Sequence, residues 1–192
     1  MVKQKLVYKL LLSAITIMLM LSVAICYAVP PIKIAVIPPI DSAKYGEPEL
    51  NQIALTEMKE NLINQNYDLA LDSQVEGAIR DINQGNPLKT LPKKEFLQLL
   101  SNKLSADVVI AVEFTRISSV VLPSLYSSNE MRNISLTSAV YIAQNDSYKT
   151  FNARRNETSE SDGFRGIKRL TKECLDEIER NTNKYLKSLV LQ

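Results

Sequence analysis

Two aspartates, Asp41 and Asp72, are the side chains in this 192-residue sequence best placed by type and spacing to do chemistry. Each follows a short apolar run that reads as a β-strand, so two parallel strands would bring both carboxylates to one crevice at the strands' carboxyl ends. A carboxylate pair in such a crevice can hold Mg²⁺, or share the work of general acid and base in a hydrolase. The competing reading is structural. Asp41 then closes an Asx-type turn and Asp72 caps the helix that follows it. Glu113, inside a third apolar run, is expected to face outward or to sit in a salt bridge.

Most other catalytic equipment is missing. The chain has no histidine, which removes His-based triads, His-metal clusters and the commonest general base at neutral pH. Its two cysteines, Cys26 and Cys174, are too few for a thiolate zinc site. None of its five glycines is grouped as a phosphate-cradling loop. We therefore assign no catalytic residue and expect no metal and no cofactor.

The amino terminus has the tripartite pattern of a secretory signal. Lys3, Lys5 and Lys9 precede an apolar run from Leu10 to Ile25, and Cys26-Tyr27-Ala28 places small residues at −3 and −1 of a cleavage site. The expected organisation is a signal peptide over 1–28 and one α/β domain over 29–192. An uncleaved inner-membrane anchor over 10–27 is the alternative. A lipoprotein is disfavoured because Ile25, not a small residue, precedes Cys26. Without the three signal lysines, 20 basic residues face 21 acidic ones. That balance gives no global field for nucleic acid or anionic lipid. With Cys26 gone, Cys174 has no disulfide partner, and its helical spacing from Ile167, Leu170 and Ile178 reads as core.

Stepping along the remainder, Ile32–Ile37 is a β-branched run stopped by Pro38-Pro39, the mark of a central strand. Asp41–Gly46 reads as a loop. Leu50, Ile53, Ala54, Met58 and Leu62 then form one helical stripe. Tyr67–Leu71 is a short strand, followed by a helix carrying Val75, Ala78, Ile79 and Ile82 and broken at Gly85-Asn86-Pro87. A further helix starts at Thr90–Pro92 with Phe96, Leu97, Leu100 and Leu104 inward. Asp107–Phe114 is the strongest strand. A hairpin follows, with Ile134–Ile142 outbound, Asn145-Asp146 at the turn and Tyr148–Glu157 returning. A long helix closes the chain on Ile167, Leu170, Cys174, Ile178, Tyr185 and Leu189. The order β-α-β-α-α-β-β-β-α predicts a mixed sheet of about five strands, parallel first and meandering last, with helices packed on it.

One segment fits no element. Val120, Val121, Leu122, Leu125 and Tyr126 lie between two strands and are too apolar for an ordinary solvent loop. They are either a contact surface for a partner or for lipid headgroups, or a continuation of the third strand to Leu122 whose remainder folds back on the core. Arg154, Arg155, Arg165, Lys168 and Arg169 form a modest basic cluster, interleaved with Glu157 and Glu160, that reads as a solvated face.

The opening Ile32-Lys33-Ile34-Ala35-Val36-Ile37-Pro38-Pro39 and the junction Leu104-Ser105-Ala106-Asp107-Val108-Val109-Ile110 resemble the bacterial envelope α/β domains typified by the amino-terminal domain of TolB. The curli channel CsgG and the penicillin-binding-protein activator LpoB share that architecture. The chain departs from the group's lipoprotein members in having no lipobox, and from its channel members in having no long amphipathic insertions. The resemblance implies an exported, non-enzymatic binding or assembly protein of the periplasm. Its implied partner is an envelope protein, met through a sheet edge or the 118–132 segment, and self-assembly into a homo-oligomer is the further option. The alternative remains a carboxylate- or metal-dependent hydrolase using Asp41 and Asp72.

Overall fold

The computed structural model describes residues 31–123, 128–160 and 163–190. The chain divides into two units, Met1–Pro30 and Pro31–Gln192, and every element named below belongs to the second. The signal or anchor reading of residues 1–28, and the candidates Leu125 and Tyr126, lie outside the described residues.

The mixed α+β architecture expected from the sequence is what forms. In chain order the elements are β1 (Lys33–Val36), β2 (Ile40–Asp41), α1 (Pro48–Asn64), β3 (Asp68–Leu69), α2 (Asp72–Ile82), α3 (Lys94–Leu104), β4 (Val108–Pro123), β5 (Ser128–Ile142), β6 (Ser147–Glu160) and α4 (Phe164–Val190). The strands join in the order β3-β1-β4-β5-β6, with β2 added beside β4. β3, β1 and β4 run parallel, and β4, β5 and β6 form an antiparallel meander.

After Lys33, strand β1 and the residue that follows it are apolar because both faces are covered. Ile34 and Val36 join a core with α1 and α4, whereas Ala35 and Ile37 join a second core with α2 and α3. β4 repeats this division, sending Val108, Ile110, Val112 and Phe114 to the first core and Val109 and Ala111 to the second. The Ser105-Ala106-Asp107 junction has a local cause. Ser105 takes a left-handed conformation (φ 48°) at the end of α3, and the Asp107 carboxylate accepts the Lys33 backbone N–H at 2.8 Å, fastening β4 to β1.

Four details differ from the sequence reading. Ile40-Asp41 is not loop but a two-residue strand paired with Glu113 and Phe114. The Tyr67–Leu71 strand shrinks to Asp68-Leu69, the residues that reach β1. α3 begins at Lys94, after Pro92. The third strand, read as Asp107–Phe114, runs on to Pro123, as the strand-continuation reading of Val120–Leu122 expects, and its partner begins not at Ile134 but at Ser128. A bulge at Thr115 interrupts their pairing, and its hydroxyl donates to the Ser135 carbonyl at 3.1 Å.

α4 buries Ile167, Leu170, Cys174, Leu175, Ile178 and Leu186 against the sheet and α1. Burial pushes the Cys174 thiol up to about 11, so it stays protonated and inert. Beside this seam lies a polar groove of about 440 Å³. Glu179 lines it, facing Asp176 on its own helix, Glu57 and Asn61 of α1, Arg155 of β6, and Arg180. Burial first, then the Asp176 and Glu57 carboxylates, pushes Glu179 up to about 7 from its ordinary 4.5. Its neutral form is thus favoured in the folded state, so stability falls as pH rises from about 4.5 to 7 and levels off above. Carboxylates held below their ordinary values, such as Glu157 beside Arg169, act oppositely and at lower pH. Glu179→Gln should flatten the pH 5–7 slope and raise Tm at pH 8 by about 2–4 °C, allowing for the solvated half of the side chain. Thermal melts at pH 5 and 8 check this, and an unchanged slope in the variant would assign the titration to another group.

Candidate functional site: a three-stranded arm

Beyond Phe114 and Leu136 the meander leaves the helical body as an arm made of the outer halves of β4, β5 and β6. The bulge decides which side chains face where. Before it, even-numbered residues of β4 face α1 and α4; after it, Ile117 pairs with Ile134 on that face and the odd-numbered residues take over. Val120 and Leu122 are thereby turned to the α2–α3 face, and Val120 lies directly opposite Met131. Val120, Leu122 and Met131 are respectively 48%, 38% and 38% exposed, and Val121 is 57% exposed on the other face. The candidate residues Val120, Val121 and Leu122 are therefore strand residues, not loop residues, and stand in solvent.

The two edges of this arm are unlike. Among the described residues, β2 pairs only with Glu113 and Phe114, so β4 from Thr115 onward pairs with β5 alone and its outer edge is open. Along that edge Arg116 is the single charged side chain before Pro123. The opposite edge, β6, carries Lys149, Arg154, Arg155, Glu157 and Glu160, a charge density that deters strand pairing.

The α1–α4 face of the arm holds a feature absent from the sequence reading. Glu130 and Arg132, two residues apart on β5, are both buried, Arg132 completely. Arg132 Nη2 meets Glu130 Oε2 at 2.5 Å and donates to the Glu160 carbonyl at 3.3 Å. Its Nη1 donates to Ser159 Oγ at 3.1 Å, and the Ser119 hydroxyl donates to the other Glu130 oxygen. This network ties β4, β5 and β6 together. The available clue was spacing: Glu130 and Arg132 continue the alternation of Ile134 and Leu136, an inward register for two charges.

The other candidates are engaged elsewhere. Asp41 accepts the backbone N–H groups of Gly46 at 3.0 Å and Tyr45 at 3.3 Å, closing the turn after β2. Asp72 opens α2 and pairs with Lys59 of α1. The two aspartates thus have separate partners, and among the described residues no group of three or more acidic or thiol side chains is placed to hold a metal ion. Glu113 does not face outward as expected. It is buried and accepts the Ser42 hydroxyl. Four residues of the basic cluster are spent locally. Arg155 pairs with Glu173 and Glu177, Arg169 with Glu157 and Glu173, and Lys168 with Glu49, while Arg154 bonds Asn156.

No protein-family model matches the sequence, and no curated protein does. Among solved structures, the hypothetical protein CT253 of Chlamydia trachomatis is similar with a TM-score of 0.52 at 12% identity, over 82% of this chain and 99% of that one. Lipoprotein GNA1162 of Neisseria meningitidis gives 0.46 at 14% identity over 78% and 99% of the two chains. The carboxy-terminal domain of LpoB from Escherichia coli gives 0.42 at 10% identity over 66% and 82%. The likeness to the Chlamydia protein is one of fold. Among the described residues no helix is long and apolar enough to cross a membrane.

Removing one member of the buried pair strands the other. Arg132→Met and Glu130→Leu should each cost about 3–5 kcal/mol in urea unfolding, and the double variant should recover at least half of that loss. Single variants within about 1 kcal/mol of the parent would show that the network does not hold the arm together.

Proposed function

We propose that this chain is an exported, non-enzymatic envelope protein that captures a protein partner along the open edge of β4. The observation that carries the proposal is the pairing of that edge, free from Thr115 onward, with the exposed Val120, Val121, Leu122 and Met131. Main-chain groups supply affinity when a partner adds a strand, and the alternating side chains supply specificity. The Val120–Met131 pair and Leu122 present an apolar strip on one face, and Val121 offers a grip on the other. Leu125 and Tyr126, which lie between β4 and β5 in the sequence and outside the described residues, belong to the same proposed contact segment.

Export rests on the signal-like pattern of residues 1–28, with the mature domain beginning at Val29 and the periplasm as its compartment. Membership of the envelope group that includes TolB, CsgG and LpoB belongs to the same proposal. The hydrolase alternative gains no support from the geometry around Asp41 and Asp72, whose carboxylates serve a turn and an ion pair.

A photo-crosslinking residue placed at Val120, Val121 or Leu122 in cells should trap one discrete partner band. The same residue at the exposed Asn152 on β6 should trap far less. Equal crosslinking at the two edges, or none at β4, would remove the β4 edge as the contact surface. A discrete band at the mass of two copies of this chain would make the partner another copy.

A further inference from the structure

On the face that carries α2 and α3, away from the arm's edge, a concavity of about 460 Å³ opens at the carboxyl end of β1. Pro38, Ile79 and Leu88 contribute its apolar lining, and Glu76, Arg80 and Asn86 its polar rim. Its place follows from the topology. β1 and β3 are neighbours, but the chain leaving β1 builds α1 on one face and the chain leaving β3 builds α2 on the other. Adjacent parallel strands whose connections part in this way open a crevice at their carboxyl ends, where open α/β sheets bind ligands. The volume falls in the range of small-ligand sites.

The outer wall is built in advance. Asn83 Nδ2 donates to the Asn86 carbonyl at 2.7 Å, and Asn86 Nδ2 returns a bond to the Asn83 carbonyl at 3.1 Å. The Gly85 N–H donates to the Arg80 carbonyl at 2.7 Å, with Gly85 at φ +82°, a conformation that glycine adopts without strain. The Ser42 hydroxyl, whose one proton is shared between Glu113 and the Lys89 carbonyl 2.7 Å away, lies at the loop's far end. A wall fixed in this way loses little entropy when a ligand arrives.

The rim specifies chemistry. Glu76 and Arg80 sit one helical turn apart on α2, both exposed, and neither side chain makes a hydrogen bond or ion pair among the described residues. The nearby Asp81 is taken by Lys103. One guanidinium with one carboxylate beside it disfavours a dianion such as phosphate, and suits a monoanion that also brings an N–H donor. A planar carboxylate matches the guanidinium fork. The apolar lining lacks an aromatic platform for a sugar ring and fits an aliphatic side chain. We propose that this crevice binds the carboxyl terminus of a peptide ending in an aliphatic residue. The carboxylate pairs with Arg80, the last backbone N–H faces Glu76, and the side chain enters among Pro38, Ile79 and Leu88.

The test is an NMR titration of ¹⁵N-labelled protein, expressed from the full 192-residue sequence, with acetyl-Ala-Leu and with its carboxy-terminal amide. The free acid should give saturable shifts at the amides of Arg80, Gly85 and Asn86. The amide form should bind at least about tenfold more weakly, as should the acid to Arg80→Gln, a surface change whose melting temperature confirms folding. Equal affinity for acid and amide, unchanged affinity in Arg80→Gln, shifts centred on the arm, or no saturable shift in the millimolar range would each overturn the proposal. None of these outcomes depends on whether the β4 edge binds a partner.

Discussion

The governing constraint is a mismatch of lengths between the sheet and the helices meant to cover it. β4 has 16 residues and spans roughly 50 Å, whereas α2 and α3, of 11 residues each, span about 16 Å apiece. The burial pattern of β5 records where coverage ends. From Ser138 to Ile142 every residue is buried, and from Glu130 to Thr137 burial alternates. The sheet therefore has a two-faced core at one end and an arm covered on one side at the other.

The two faces of the arm are finished by different means. α4, of 27 residues and about 40 Å, starts just after β6 has reached the arm's far end and runs back along the α1–α4 face. Phe164 packs against the first core, and Arg169 and Arg155 connect this helix and β6 through Glu157, Glu173 and Glu177. Tyr45, after β2, closes over the same side, where burial and then the charges of Glu47 and Glu130 hold its phenol above its ordinary value. Under that cover lies the Glu130–Arg132 pair. Such a pair offsets its desolvation only with good geometry, and its gain here is register. A slip of β5 by one residue would turn both charges outward and Met131 inward.

The body of the fold was legible because both signals that define it are dense. Ile34–Ile37 and Val108–Val112 are uninterrupted apolar runs, and each helical stripe supplies buried residues, Leu62, Ile79, Leu100 and Ile178 among them, while Ile53, Ile82, Phe96 and Leu104 are only partly buried. The arm was legible only in part, at Ile134–Leu136 and in β6 up to Glu157, since the rest of its strands is neither buried on both faces nor cleanly alternating in sequence. Ser118, Ser119, Asn129 and Asn133 dilute the apolar signal, and the bulge at Thr115 shifts its phase midway. The apolar run at 120–122 was visible as an anomaly, and continuation of the third strand was one of its two readings. Glu113 misled for a related reason: a carboxylate in a strand reads as outward unless its partner, here Ser42 some 71 residues earlier, is known. Asp41 and Asp72 could be placed after strands, but nothing local to either reveals that backbone N–H groups and Lys59 already engage them.

That pattern bears on how chemistry and binding divide in this molecule. With no histidine in the chain and Cys174 buried as a protonated thiol, carboxylates are the main acid–base groups left near neutral pH. The buried ones are consumed in holding the fold: Glu113 by Ser42, Glu130 by Arg132 and Ser119. The apolar side chains of the arm's open face are in the opposite position. Val120, Leu122 and Met131 belong to neither core, so the body does not need them for its own stability. An apolar strip that a fold can do without, set on an edge with unspent backbone donors and acceptors, raises the risk of aggregation for any exposed sheet. β6 meets that risk with charge, and β4 beyond Arg116 does not. Occupation of the β4 edge by another strand removes the same risk by pairing, which is why the asymmetry between the two edges favours a binding surface over an unfinished one.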